Sequence, residues 1–192
     1  MTGGGYFVNA SIFLIDLLFG LYILAIMLRL ILQLVRADFY NPLCRAIVSV
    51  TNPALKPMRR YIPALGTIDS ASILLMLGLQ LLSSYLVFSL LGYRPSLNCL
   101  FLTAIAELIG TGIYIFMAAI FIQIVFSWVA PGVYSPVVGI IDSITRPFLR
   151  LARRILPSTS VIDFSPMLVI VGLMLGLILI VAPLRDLAKA LL

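Results

Sequence analysis

The sequence predicts an all-α membrane protein with four transmembrane helices in two parallel, same-orientation repeats. Each repeat is expected to carry a cytoplasmic amphipathic helical hairpin, lying in the interface between its two spans. Three observations predict this. Of 192 residues, 62% are hydrophobic and 10% charged, with a mean hydropathy of +1.19, whereas a soluble domain carries roughly 25% charged residues. Four apolar runs, near residues 12–35, 73–91, 100–129 and 167–184, approach or exceed the ~20 residues that cross a hydrocarbon layer. The chain also repeats itself at one offset, 94 residues, without a gap.

At that offset Tyr40 and Pro42 fall on Tyr134 and Pro136, and Thr51, Pro53 and Leu55 on Thr145, Pro147 and Leu149. Arg59, Arg60 and Pro63 fall on Arg153, Arg154 and Pro157, and Ile68 and Asp69 on Ile162 and Asp163. Identity at one register over such a stretch indicates duplication. Residues 1–98 form the first repeat and 99–192 the second. Each has two spans, an even number, so both insert the same way.

The first span, 12–35, has no basic residue before it and is too long for a signal-peptide core, so no cleaved leader is expected. Residues 38–69 follow, rich in proline and arginine. Asn41 before Pro42 reads as a helix N-cap with proline at the first helical position. Leu43, Ile47 and Val50 then recur at helical spacing, and Pro53 is expected to break the helix. A second short helix would place Leu55, Met58 and Ile62 opposite Lys56, Arg59 and Arg60. Asp69 stands where the second span, 73–91, begins, as a cap or as a salt-bridge partner of the arginine pair.

Residues 92–98 make a short turn into the third span, 100–129. The second basic segment, 131–163, repeats the pattern with Ser135 as cap before Pro136, a break at Pro147, Phe148, Leu151 and Ile155 opposite Arg150, Arg153 and Arg154, and Asp163 at its end. The last span is 167–184. From Arg36 to Asp69 and from Pro131 to Asp163 the chain holds nine of the 13 Lys and Arg residues, against Arg94, Arg185 and Lys189 on the other side. The positive-inside rule therefore makes the segments cytoplasmic and turns both termini outward.

Within the spans, Arg29 and Gln33 lie four apart and fall on Gln123 and Ser127 in the second repeat. These polar groups would bond the two repeats together or line an ion path, and Arg29 is close enough to the cytoplasmic end to snorkel. Asp16 and Glu107 are expected near the outer ends of their spans, solvated. Gly172 and Gly176 form a GxxxG pattern and Gly78 matches Gly172, which suggests close helix packing within or between chains.

The sequence contains no histidine, and Cys44 and Cys99 lie far apart. No metal site, cofactor or catalytic constellation is expected, and the +6 charge points to anionic lipid rather than nucleic acid.

The run Arg36 to Pro42, Thr51-Asn52-Pro53 through Arg59-Arg60-Tyr61-Ile62-Pro63, Ile68 to Ser72, Arg153 to Pro157 and Ile162 to Pro166 resemble the YggT family of bacterial membrane proteins, also called YlmG, in its two-repeat proteobacterial form. The second copy departs from the pattern by lacking the Asp-Phe-Tyr-Asn run. The resemblance implies a bacterial inner-membrane protein linked to osmotic or cation stress, to cell division and nucleoid organisation, and in plastids to membrane-complex assembly.

These readings converge on a non-enzymatic scaffold or accessory protein. Its candidate surface for lipid headgroups or a protein partner is Lys56, Arg59, Arg60, Arg150, Arg153 and Arg154, with a membrane protein or a second copy of the chain as partner. The alternative is a cation-transport component. Single cysteines at Gly3, Ser96 and Ser158 in a background without Cys44 and Cys99 test the orientation. An impermeant thiol reagent added to intact cells should label the first two only, and labelling at position 158 would reverse it.

Overall fold

The computed structural model describes residues 3–64, 66, 68–129, 135–155 and 163–192, and every element in it is helical. The helices are α1 (Gly3–Leu34), α2 (Pro42–Arg59), α3 (Ser70–Leu90), α4 (Leu97–Val129), α5 (Pro136–Ile155), α6 (Ser165–Gly176) and α7 (Ala182–Ala190). A π-helical turn, Leu177–Val181, joins the last two into one rod. Four helices are long and apolar enough to cross a membrane: Gly5–Leu34, Ser70–Leu90, Leu97–Val129 and Ser165–Ala190. The parts of the second basic segment at 131–134 and 156–162 lie outside the described residues.

α1 packs on α3, α3 on α4, and α4 on α6 and α7, while α2 lies against α1 and α5 against α4. The two repeats share one core. Ile31, Leu32, Ala37 and Cys44 of the first meet Ile115, Ala119 and Ile144 of the second. Asn41 Nδ2 donates to the Pro136 carbonyl at 2.6 Å and ties the start of α2 to the start of α5.

The expected breaks at Pro53 and Pro147 do not occur, and each basic segment contributes one continuous helix, not a hairpin. The carbonyl that Pro53 leaves without its N–H partner is that of Ser49, an exposed residue, so water can take the bond and the proline costs less than in a buried helix. Thr51 and Thr145, both fully buried, return their hydroxyls to Ile47 (2.7 Å) and Ile141 (2.9 Å) just before those prolines. The unbroken helix also rotates the expected faces. In α2 the buried residues are Cys44, Thr51 and Leu55, while Leu43 and Val50 are exposed.

α1 and α4 begin at Gly3 and Leu97, earlier than the apolar runs suggested, because the glycines and polar residues at those starts are compatible with helix. Asp16 is therefore about 20 Å along α1 and Glu107 about 15 Å along α4, at ~1.5 Å per residue, not at the ends. The π turn precedes Pro183, which has no N–H to donate and crowds the preceding turn, so the helix widens there. Gly78 and Gly172 face open space within the chain, contrary to close intramolecular packing; of these three glycines Gly176 alone meets a neighbour, with a built Cβ 3.5 Å from Ile113 Cδ1.

α1 and α3 end alike. The N–H of Ala37 reaches the Leu32 carbonyl (2.9 Å) and that of Tyr93 reaches Phe88 (3.0 Å), around Arg36 at φ 52 and Gly92 at φ 82. This wrap needs a left-handed residue, which glycine adopts freely and arginine at a cost of about 1 kcal/mol. Arg36→Gly should therefore raise stability by about that amount in a denaturant titration in detergent, and Gly92→Ala should lower it similarly.

Candidate functional site

Each repeat holds a groove between its first long helix and its basic helix. In the first, Arg29 of α1 is 6% exposed and donates to Thr51 Oγ1 at 2.7 Å and Asn52 Oδ1 at 3.0 Å. It bonds α2 of its own repeat instead of Gln123 and Ser127 of the other. Arg29 and Gln33 line a cavity of about 580 Å³ with Phe39, Val48, Arg59 and Asp69.

Asp69 occupies the N-cap position of α3, but its carboxylate makes no cap bond to a backbone N–H. It is 3% exposed and accepts from the Arg59 guanidinium and, at 2.6 Å, from the Ser72 hydroxyl. Burial pushes this carboxyl up, but the bonds from Arg59 and Ser72 and the Arg59 charge outweigh that and hold it below the ordinary carboxylate range. The pair closes the ten-residue connection from α2 to α3. It also sets a cation in the last turn of one helix and an anion at the first turn of the next, both favoured by the helix dipoles.

The second repeat makes the same clamp in the open. Arg153 donates through Nε (3.1 Å) and Nη2 (2.9 Å) to Asp163, whose other oxygen accepts from the Ser165 N–H at 2.9 Å. Burial raises the Asp163 carboxyl, and the Ser165 and Arg153 bonds bring it below the ordinary range. The caps at Asn41 and Ser135 accept from Leu43 N–H (3.0 Å) and Val138 N–H (3.2 Å).

A groove of about 390 Å³ here is lined by Gln123, Asp142, Arg146, Leu149, Arg150, Arg153 and Arg154. Arg146 pairs with Asp142. Gln123 Oε1 and Ser165 Oγ are the buried side-chain polar atoms without a hydrogen-bond partner among the described residues. Ser127 is exposed. Sequence reasoning paired the aspartates with the arginines as one of two readings. It missed the orphaned Gln123 oxygen, which depends on packing.

Away from α2 and α5, a cavity of about 400 Å³ within the bundle is lined by Asp16, Gln80, Ser83, Ser84, Thr103, Glu107 and Thr111 among others. Glu107 is not solvated alone but accepts both Nε and Nη2 of Arg185, each at 2.9 Å. Ser83 and Ser84 are 4% and 7% exposed. Among the described residues no group of three metal-ligating side chains comes together. Cys44 and Cys99 are buried free thiols, and burial together with the Asp38 charge pushes Cys44 up, away from thiolate chemistry.

A family model described as CCB3/YggT matches residues 8–90 and again 102–184, the same 94-residue displacement. An uncharacterised protein of Pseudomonas aeruginosa is 39% identical over 169 residues, 87% of this chain and 86% of its own. The protein named YggT in Escherichia coli is 35% identical over 162 residues, 84% of each chain, and a Vibrio alginolyticus protein is 36% identical over 169 residues, 86% of this chain and 90% of its own. No enzyme family is indicated. No solved structure matches.

The two clamps should differ in strength. Arg59→Gln leaves a buried carboxylate with a hydroxyl alone and should cost about 2 kcal/mol, whereas Arg153→Gln at a half-exposed pair should cost under about 1 kcal/mol. Because the Asp69 carboxyl is held low, its contribution is complete above the ordinary carboxylate range and drains as pH falls through the lowered value. Acid unfolding in detergent should therefore be steeper for the parent than for Asp69→Asn, and equal slopes would show that the ionised clamp adds no stability.

Proposed function

Because this chain belongs to the CCB3/YggT family along both repeats and most of its length, we propose that it is a non-enzymatic integral membrane scaffold of the bacterial inner membrane. In this reading α2 and α5 lie along the cytoplasmic surface and hold acidic lipid headgroups there, presenting a site at which a membrane protein partner or a second copy assembles.

One observation carries the reading. After the clamps are made, Lys56, Arg60, Arg150 and Arg154 remain exposed and without an ion pair among the described residues, at positions 94 apart. Around α2, at ~100° per residue, the buried stripe of Cys44, Thr51 and Leu55 is flanked on one side by exposed Leu43 and Val50 and on the other by Arg45 and Lys56. A helix so divided suits a membrane surface, with one flank toward acyl chains and one toward headgroups and water. Each cation near an anionic leaflet contributes about 1 kcal/mol.

Trp128, the one tryptophan, is 81% exposed at the end of α4 and reports the nearby lipid. In mixed phosphatidylcholine and phosphatidylglycerol bilayers, brominated acidic lipid should quench it more than brominated zwitterionic lipid. Raising salt should erase that preference, since surface attraction is screened within about 10 Å at 0.1 M. Changing Lys56, Arg60, Arg150 and Arg154 to glutamine should erase it too. An unchanged preference in that variant reduces these residues to topology signals.

A second reading, a cation-transport component, is favoured by the cavity of Asp16, Gln80, Ser83, Ser84 and Glu107, because polar groups among apolar spans are costly unless they serve a path or a partner. Under the scaffold reading, proteoliposomes of the parent pass sodium or potassium no faster than empty vesicles. Flux above that level, lost in Asp16→Asn at normal folded yield, would replace the scaffold reading with the transport one.

A further inference from the structure

The duplicated grooves differ in charge. In the first repeat the two cations, Arg29 and Arg59, are engaged by Thr51, Asn52 and Asp69. In the second, glutamine stands in place of Arg29, Asp142 in place of Val48 and Arg146 in place of Asn52. The groove is then ringed by four arginines and one aspartate. Asp142 engages Arg146 and Asp163 engages Arg153. Arg150 and Arg154 have no ionic partner among the described residues, and the Gln123 amide oxygen is buried without a donor.

A buried acceptor left empty costs about 1–3 kcal/mol, and two unpaired guanidiniums converging on one groove attract a phosphate through paired N–H donors. The wall of the groove is Leu149, and α5 carries exposed Leu151 and Ile155 beside the arginines, an apolar margin suited to acyl chains.

We propose that the groove between α4 and α5 is a specific site for one anionic phospholipid whose headgroup carries both a phosphodiester and a hydroxyl, as phosphatidylglycerol does. The phosphate sits on Arg150 and Arg154, and a headgroup hydroxyl donates to Gln123 Oε1. The inference rests on the reading of α5 as a membrane-surface helix and adds a single, asymmetric site to it. The first repeat, whose groove satisfies its own charges, holds no equivalent lipid.

Native mass spectrometry of the full chain in detergent, titrated with phosphatidylglycerol, phosphatidic acid, phosphatidylcholine or inorganic phosphate, tests this. Phosphatidylglycerol should be retained at one copy per chain, about tenfold more tightly than phosphatidylcholine, with inorganic phosphate a poor competitor. Arg150→Gln with Arg154→Gln should weaken retention about tenfold, while Lys56→Gln with Arg60→Gln changes it less than about twofold. Gln123→Leu should abolish the preference for phosphatidylglycerol over phosphatidic acid. Arg150→Lys with Arg154→Lys, which keeps charge but loses the paired donors, guards against misfolding and should weaken binding by a smaller factor. Equal losses from the two repeats' pairs would overturn the site and leave diffuse surface attraction standing. Full competition by inorganic phosphate would make it an anion site without a lipid, and no acidic lipid retained by the parent would sink both readings.

Discussion

The structure depends on keeping two helices too charged to cross a bilayer fixed against four apolar enough to do so. Water cannot help inside the apolar layer, so every polar group at that junction needs a partner within the protein. Arg59 meets that need for the buried Asp69, and Arg153 pairs with the more exposed Asp163, at the point where each basic helix hands the chain to the next span. Asn41, bonded to the Pro136 carbonyl, links the two basic helices at their opposite ends. With both ends fixed, Cys44, Thr51 and Leu55 can bury in α2 and Ile144, Thr145 and Leu149 in α5, which leaves the remaining cations outside. The unpaired basic surface is thus a consequence of the clamp: each repeat commits one arginine of its Arg-Arg pair to an aspartate and leaves the other without an ion pair among the described residues.

Duplication supplied two copies of this device, and divergence then changed where the charge sits. The first copy keeps a cation on the span, Arg29, and neutral acceptors on the helix, Thr51 and Asn52. The second keeps the threonine, moves the cation to the helix as Arg146, and leaves an amide, Gln123, on the span. A buried guanidinium satisfied by two side chains locks α1 to α2. An amide with an orphaned oxygen locks nothing, and its groove keeps four arginines near open space. The first repeat is therefore the better-satisfied half and the second the one with binding capacity to spare.

Much of this was legible in the sequence because it depends on period and register. Apolar length located the four spans, and the 94-residue offset located the repeats and paired Arg59 and Asp69 with Arg153 and Asp163. What failed was local. Proline reads as a helix breaker, yet Pro53 sits where the freed carbonyl is exposed, so the helix continues and Leu43 and Val50 turn outward. Glycine spacing reads as close packing, yet Gly78 and Gly172 face no neighbour in the chain. Helix starts were set by hydropathy, which undercounts α1 and α4 and so placed Asp16 and Glu107 at an edge. Partners distant in sequence, Arg185 for Glu107 above all, have no signal in a single chain.

The polar groups thus gather in two places separated along the spans, and the two are satisfied differently. Toward α2 and α5 the balance is positive: nine basic residues stand there, with Asp38, Asp69, Asp142 and Asp163 offsetting only part of them. Away from α2 and α5, Asp16 and Glu107 line a cavity with Ser83 and Ser84, and Glu107 is bonded to Arg185. A protein that needed only to anchor its spans could line that cavity with small apolar side chains, which need no hydrogen-bond partner among apolar spans. Keeping carboxylates and hydroxyls there costs stability in a bundle whose helices gain little from the hydrophobic effect once surrounded by lipid. The charge separation along the bundle also matches the physical asymmetry of a membrane with an anionic inner leaflet. The arginine–aspartate clamps and the exposed Lys56, Arg60, Arg150 and Arg154 are what the two repeats share at the offset of 94 residues, and the charges around them are what diverged.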